Sequence, residues 1–211
     1  MSERAAAAAD AGGGRERILD AACERIASDG IDDVRIARIA QDAGVSPALV
    51  HYHFDTRERL LAEALEHSFA RAGAARMGAG PAADAPAAER LAAMIEQSLP
   101  LAGEQEDDWV LWVELWLRTV RHPELRPVAE DLYARMHDWF ATVIAEGVRS
   151  GEFARCDPDE VTDRALALID GAGLRALLRD RGMPLDRARR MVEAVLARDL
   201  GLGERLPRSP G

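Results

Sequence analysis

Hydrophobic residues recur every three to four positions along most of the chain, a spacing that places them on one face of an α-helix. The first such stripe ends at Gly30 and contains Ile18, Leu19, Ala22, Cys23 and Ile26. Further helices are predicted over residues 87–99, 107–121, 124–147, 157–182 and 185–200. No stretch alternates hydrophobic and polar residues as a half-buried strand does. The pattern therefore predicts an all-α fold, with a head of three to four helices followed by a body of five.

Two short hydrophobic stripes flank Gly44. They contain Ile36, Ile39, Ala40 and Ala43 before the glycine, and Leu49, Val50 and Phe54 after it. Glycine ends a helix at low cost because it readily adopts the left-handed conformation. Ser46 suits an N-cap and Pro47 the first helical position, while Asp32 or Asp33 is expected to cap the helix before the turn. Two helices joined in this way are typical of the helix-turn-helix unit, whose second helix lies in the major groove of DNA.

The segment IARIAQDAGVSPALVHYHFDTRERLL, residues 36–61, resembles the DNA-binding signature of TetR-family transcriptional regulators. The matching positions are Ile39, Ala40, Ala43, Gly44, Val45, Ser46, Phe54, Leu60 and Leu61. The resemblance covers residues 15–73 and implies a DNA-binding domain there. Four positions depart from the family pattern. Arg35 stands where the family more often has Thr or Ser, His51 and His53 stand where it more often has Tyr, and Arg57 stands where it more often has Lys.

The second helix of this unit is the predicted recognition helix. Its apolar residues suit contacts with thymine methyl groups, whereas tyrosine, histidine and the N–H groups at the capped helix start donate to phosphates. Three arginines on or beside the unit are also placed to meet phosphates. The predicted DNA-binding residues are Arg35, Arg38, Ser46, Pro47, Ala48, Leu49, His51, Tyr52, His53 and Arg57.

Composition suggests how the chain divides into domains. Residues 1–14 are rich in Ala and Gly and are predicted to form a disordered arm. Residues 73–86 combine Ala, Gly and Pro with few large hydrophobic side chains, which is typical of a domain boundary. The predicted domains are a helix-turn-helix domain over residues 15–73 and a helical ligand-binding and dimerisation domain over residues 87–202.

The helix over residues 107–121 is hydrophobic on almost all sides, as buried helices are. Its W-x-E-x-W pattern, with the H-P-x-L-R and G-E-F steps that follow, is similar to the ligand-binding domain of BetI-like TetR regulators. An aromatic wall that includes a carboxylate suits a cationic effector. The candidate effector residues are Trp109, Trp112, Glu114, Trp116, Tyr133, Met136, His137, Phe140 and Asp170. The alternative to an effector site is that these aromatic residues only pack in the hydrophobic core.

The last two helices are the natural dimer surface, because two copies of such a pair form a four-helix bundle. The family resemblance favours a homodimer over burial of these helices within one chain. Gly171 and Gly173 are expected to permit close approach of another part of the structure to the helix that contains them.

The chain is acidic, with 27 basic residues, all of them arginine, against 37 acidic residues and a net charge of −10. This balance argues against a general nucleic-acid coat protein. The predicted DNA-binding domain itself holds eight arginines against eleven acidic residues. Operator binding therefore has to depend on a few well-placed donors, and we expect it to be sensitive to salt.

Other classes of site have no support in the sequence. Cys23 and Cys156 lie far apart and form no CxxC pair, so neither a disulfide framework nor a zinc site is expected. His51 and His53 point in different directions on a helix and cannot share a metal ion. We find no signal peptide, membrane span, hydrolase motif or nucleotide-binding motif. The expectation is a cytoplasmic protein that is not an enzyme and uses no metal or cofactor.

Together, these features predict a ligand-responsive TetR-type regulator, a repressor that binds palindromic double-stranded operator DNA as a homodimer. Its partners would be the operator and a small-molecule effector, and we expect no association with a membrane. The alternative is a helical small-molecule-binding protein whose DNA-reading head is vestigial. The acidic head and its departures at Arg35, His51 and His53 keep this alternative open.

Overall fold

The computed structural model describes residues 2–79, 82–203 and 206. Within these ranges the chain forms nine α-helices and one 3-10 helix, and no β-strand, so the predicted all-α fold is confirmed. The helices are α1 Ser2–Asp29, α2 Ile36–Asp42, α3 Pro47–His53, α4 Arg57–Ala79, α5 Ala87–Gln97, α6 Glu104–Arg121, α7 Arg126–Ser150, α8 Pro158–Leu177 and α9 Leu185–Asp199. The 3-10 helix spans Pro123–Leu125.

Side-chain caps fix the start of several helices. Ser46 Oγ accepts a hydrogen bond from Leu49 N at 3.2 Å, and Thr56 Oγ1 accepts one from Arg59 N at 3.1 Å. The predicted Ser46 cap and the Pro47 start of α3 are therefore confirmed. The expected cap of α2 is wrong, because the residue at its N-cap is Arg35, in an extended conformation and without a side-chain cap.

Helix α1 reaches further towards the N-terminus than composition suggested. It begins at Ser2, so its first half lies in the segment 1–14 for which disorder was expected. The physical reason is the run of alanines at residues 5–9, because alanine has the highest intrinsic helix propensity.

The described chain packs as two compact units. Unit 1 comprises Met1–Ala72 with Val110–Ala129, and unit 2 comprises Gly73–Trp109 with Glu130–Gly211. This division differs from the expected domains at 15–73 and 87–202, because residues 110–129 belong with the N-terminal helices. Within unit 1, the Trp112 ring meets the Phe69 ring edge-on, with centroids 4.6 Å apart.

Each unit has its own hydrophobic core. Large side chains that are essentially inaccessible to solvent in unit 1 are Ile18, Ile26, Ile39, Phe54, Leu60, Leu65 and Leu115. In unit 2 they include Leu91, Ile95, Phe140 and Ile144, and α9 adds Val192 and Leu196. Helices α8 and α9 pack against each other in unit 2, and α5 packs against α9.

Candidate DNA interface and effector site

The turn between α2 and α3 has the geometry that the sequence predicted. Gly44 adopts a left-handed conformation, with φ of 65°. Val45 N donates to Ala40 O at 2.9 Å and Gly44 N donates to Gln41 O at 3.2 Å, so the last carbonyls of α2 are satisfied within the turn. The turn therefore fixes the direction in which α3 leaves α2.

Helix α3 buries one side and exposes the other. Val50 is buried, whereas Pro47, Ala48 and His51 are exposed and Tyr52 is 77 % exposed. The buried position packs on the core of unit 1, so the opposite side, which carries Tyr52, is the side available to a partner such as DNA.

Two other predicted residues of α3 are only half-exposed. Leu49 lies close to Gly14 of α1, and a Cβ added to that glycine would lie 3.5 Å from Leu49 Cδ2. The His53 ring packs edge-on against Tyr52 at 5.2 Å, and its Nε2 atom is buried. Of the predicted phosphate donors on this helix, His53 is therefore the least accessible.

The predicted arginines differ in their environment. Arg35 and Arg38 are exposed, and Arg38 Nη1 donates to Gln41 Oε1 at 3.3 Å. Arg57 is half-buried, and its guanidinium donates to three backbone carbonyls, those of Ile31, Asp32 and Val34. These bonds give Arg57 an intramolecular role, and its contact with phosphate stays a prediction.

Helix α1 supports the helix-turn-helix unit through residues that the sequence reasoning missed. Arg25 forms an ion pair with Asp42 at the end of α2, and Arg17 Nε donates to Ala43 O at 3.4 Å. The hydrogen bond to Asp42 raises the pKa of Arg25 above its usual value. No local pattern identifies either arginine, because both contacts join residues that are far apart in sequence.

In unit 2, three of the predicted effector residues meet at α8, although only Asp170 belongs to that helix. Tyr133 Oη donates to Asp170 Oδ2 at 2.8 Å. A Cβ on Gly173 would lie 2.2 Å from the Trp109 ring, so the absent side chain leaves room for that indole, whose Nε1 donates to Ser98 O. Residues three apart share a helix face. Asp170 and Gly173 therefore share one face of α8, and Tyr133 of α7 and Trp109 of α6 both contact that face.

The remaining predicted effector residues are more dispersed. Met136 and His137 are half-buried, and His137 Nε2 lies 3.6 Å from Asp163 Oδ1. Phe140 is fully buried, as a core residue is. Three of the predicted effector residues belong to unit 1 and not to unit 2: Trp112, Glu114 and Trp116.

Among the residues that the structure describes, no group of three or more His, Cys, Asp and Glu side chains could hold a metal ion. None of the helices that the structure describes is long and apolar enough to cross a membrane.

Comparison with known families identifies the chain. The sequence model for the C-terminal domain of BetI-type transcriptional repressors matches residues 86–201, which is more than half of the chain. The model for bacterial regulatory proteins of the tetR family matches residues 18–64. This chain belongs to the TetR family.

Several TetR-family proteins are similar over most of their length. The HTH-type transcriptional regulator BetI of Brucella suis is 27 % identical over 164 residues, which is 78 % of this chain and 80 % of that protein. BetI 1 of Chromohalobacter salexigens is 29 % identical over 196 residues, which is 87 % of this chain and 91 % of that protein.

Solved structures of transcriptional regulators are also similar to this chain. A transcriptional regulator from Saccharomonospora viridis in complex with choline is 35 % identical with a TM-score of 0.76, covering 84 % of this chain and 92 % of its own. A TetR-family regulator from Rhodococcus sp. is 29 % identical with a TM-score of 0.77, covering 90 % and 99 %. The predicted TetR-type regulator with a BetI-like ligand-binding domain is thereby confirmed, and these relatives are regulators and not enzymes.

Proposed function

We propose that this TetR-family protein is a homodimeric repressor that binds a palindromic operator and releases it when a quaternary ammonium compound such as choline binds. The observation that carries the proposal is the outward exposure of α3, on which Tyr52 is 77 % exposed while Val50 anchors the helix in the core. A protein that regulates genes has to act where the chromosome lies, so the proposal includes a cytoplasmic location.

Operator binding would use the exposed side of α3. The Ser46 cap orients the N–H groups at the start of the helix, which together with Tyr52 can donate to phosphates. Arg35 and Arg38 are exposed on the neighbouring helix and would add charge-assisted phosphate contacts. Because the surrounding domain has more acidic than basic residues, these few donors would account for most of the electrostatic attraction.

Dimerisation would use α8 and α9. A stripe at helical spacing runs along α8 to its C-cap and is exposed or half-exposed: Ala167, Gly171, Leu174 and, at the cap, Leu178, which is 70 % exposed. No atom of the described residues would lie within 4 Å of a Cβ added to Gly171, so a partner helix could approach closely there. A two-fold dimer would present two copies of α3 about 34–36 Å apart, the spacing of successive major grooves.

The effector would bind beside Asp170. This carboxylate already accepts a hydrogen bond from Tyr133, and Trp109 packs on the same face of α8. A carboxylate among aromatic rings suits a quaternary ammonium group, which has no N–H to donate and is held by charge and by π-faces. The choline complex of the Saccharomonospora viridis relative supports this choice of ligand. A difference of about 1–3 kcal/mol in effector affinity between two head spacings suffices for regulation.

A gel-shift titration with DNA from upstream of the protein's own gene tests the proposal. We expect specific retardation that weakens with salt and is reversed by choline. Tyr52→Ala should weaken it, and Arg38→Ala should also lower the slope of its salt dependence by about one. Equal affinity of the wild type and both variants would mean that the head is vestigial and that the protein only binds small molecules.

A further inference from the structure

Unit 1 contains a cavity of its own, with a volume of about 260 Å³. Its walls come from the loop after α1, the first turns of α4, the end of α6 and the 3-10 helix, all within unit 1. It is therefore separate from Asp170 and Tyr133, which belong to unit 2.

The wall of this cavity is largely hydrophobic. Ile31, Leu61 and Leu65 contribute to it, and Leu125 of the 3-10 helix also lines it. An apolar cavity of about 150 Å³ holds one benzene molecule, so this cavity has room for roughly ten non-hydrogen atoms. Hydrophobic side chains around a cavity of this size favour a ligand whose main part is apolar.

Charge at the wall favours an anionic head group. Arg118 and Arg59 both line the cavity, and Glu58 is the acidic residue in its lining. Arg59 is exposed and already paired with Asp55 and Glu63, so the charge of a ligand would be met by Arg118. The Arg118 side chain is only 17 % exposed and donates from Nη2 to Asp32, whose own side chain is 82 % exposed. A guanidinium has five N–H donors in a planar fork, which matches the two oxygens of a carboxylate. Arg118 is thus a partly desolvated cation beside an apolar volume.

We propose that this cavity is a second ligand site, which binds a small amphipathic carboxylate. The apolar chain of the ligand lies among Ile31, Leu61 and Leu65, and its carboxylate pairs with Arg118. The ligand carboxylate competes with Asp32 for the same guanidinium. The ligand therefore removes one of the contacts that hold the loop from α1 into α2, which Arg57 also holds through backbone carbonyls.

Because Asp32 lies in the loop before the helix-turn-helix unit, a ligand at this site would affect DNA binding. Asp32 lies four residues before α2, the first helix of the helix-turn-helix unit. Release of Asp32 from Arg118 would lower operator affinity without using the effector residues of unit 2. That consequence rests on the proposed function, whereas the binding site itself does not, so binding is tested without DNA.

Isothermal titration calorimetry of the full-length protein provides the test, with octanoate as the probe. 1-Octanol and octylamine share its chain but carry a neutral and a cationic head group. We expect octanoate to bind with a Kd below about 1 mM and at least about tenfold more tightly than either analogue. Arg118→Gln should weaken octanoate binding at least about tenfold, and Ala62→Phe should do the same by filling the cavity.

Two control variants separate the site from general loss of structure. Asp32→Asn breaks the same ion pair as Arg118→Gln but leaves the guanidinium in place, so octanoate binding should be retained or strengthened. Tyr133→Phe should leave it unchanged, because Tyr133 belongs to unit 2. Circular dichroism confirms that each variant is folded.

Three results would overturn the proposal. The first is no heat of binding for octanoate, and the second is equal binding of octanoate and octylamine. The third is equal weakening by Arg118→Gln and Asp32→Asn, which would assign the effect to the ion pair instead of a ligand site. None of these results bears on operator binding, so failure here is distinguishable from failure of the proposed function.

Discussion

The guanidinium of Arg57 donates from Nε to the backbone carbonyl of Val34 at 3.2 Å. With its bonds to the carbonyls of Ile31 and Asp32, this contact ties the start of α4 to the loop between α1 and α2. The sequence suggested a phosphate contact for this arginine. The structure uses it to hold the loop from which the helix-turn-helix unit begins.

Arg57→Ala should destabilise the protein. Removal of the guanidinium leaves carbonyl groups in a half-buried loop without their donor, which costs about 1–3 kcal/mol. Urea denaturation followed by circular dichroism measures the loss. Arg38→Ala is the matched control: this arginine is exposed, so the free energy of unfolding should change by less than about 0.5 kcal/mol. Equal stability of the two variants would contradict the structural role of Arg57.

Alanine substitutions at two glycines should change stability in opposite directions. A Cβ at Gly44 would meet nothing within 4 Å in the part of the chain that the structure describes. Gly44→Ala therefore costs only the strain of an alanine in the left-handed conformation, about 1 kcal/mol. Gly13 lies inside α1, where an added Cβ makes an ordinary contact, so Gly13→Ala should stabilise the helix by about 0.5–1 kcal/mol. Thermal unfolding should therefore give a lower Tm for the first variant and a higher Tm for the second. A higher Tm for Gly44→Ala would contradict the turn geometry.

Asp170→Asn should weaken choline binding about tenfold or more. The amide keeps an oxygen for the Tyr133 hydroxyl but removes the negative charge that would attract the quaternary ammonium group. Glu160→Gln changes an exposed carboxylate on the same helix and should alter the Kd less than about twofold. Isothermal titration calorimetry with choline compares the two. A similar loss in both variants would show that only the overall charge matters.

Gly171→Arg should dissociate the dimer. A long cation at the centre of the stripe on α8 would have to be buried between two copies, where a charge without a partner is costly. Val120→Arg makes a similar change on α6, where Val120 is 79 % exposed and outside the proposed interface. Analytical ultracentrifugation should show monomers for the first variant and dimers for the second. Dimers in both would exclude this face of α8 as the interface.

Local signals in the sequence were sufficient for the helix-turn-helix unit. Gly44, Ser46 and Pro47 each have a conformational preference that acts within a few residues, and the structure shows all three as predicted. Long-range contacts could not be predicted in this way. Arg118 and Asp32 are 86 positions apart, and no local pattern relates them.

The two glycines of α8 show the same limit. Both were expected to permit close approach, and at Gly173 the ring of Trp109 takes up that room. Among the described residues, nothing lies within 4 Å of a Cβ added to Gly171, so the room there is not used within a single chain. Helix periodicity places both positions on α8, but it does not say which neighbour faces each of them.

A hydroxyl-radical footprint on DNA from upstream of the protein's own gene tests most directly whether a dimer reads DNA with α3. We expect two protected patches related by two-fold symmetry and centred about 34–36 Å apart, one for each α3. The protection should disappear when choline is added. No protection, or a single patch without symmetry, would contradict a dimeric repressor that reads DNA with α3.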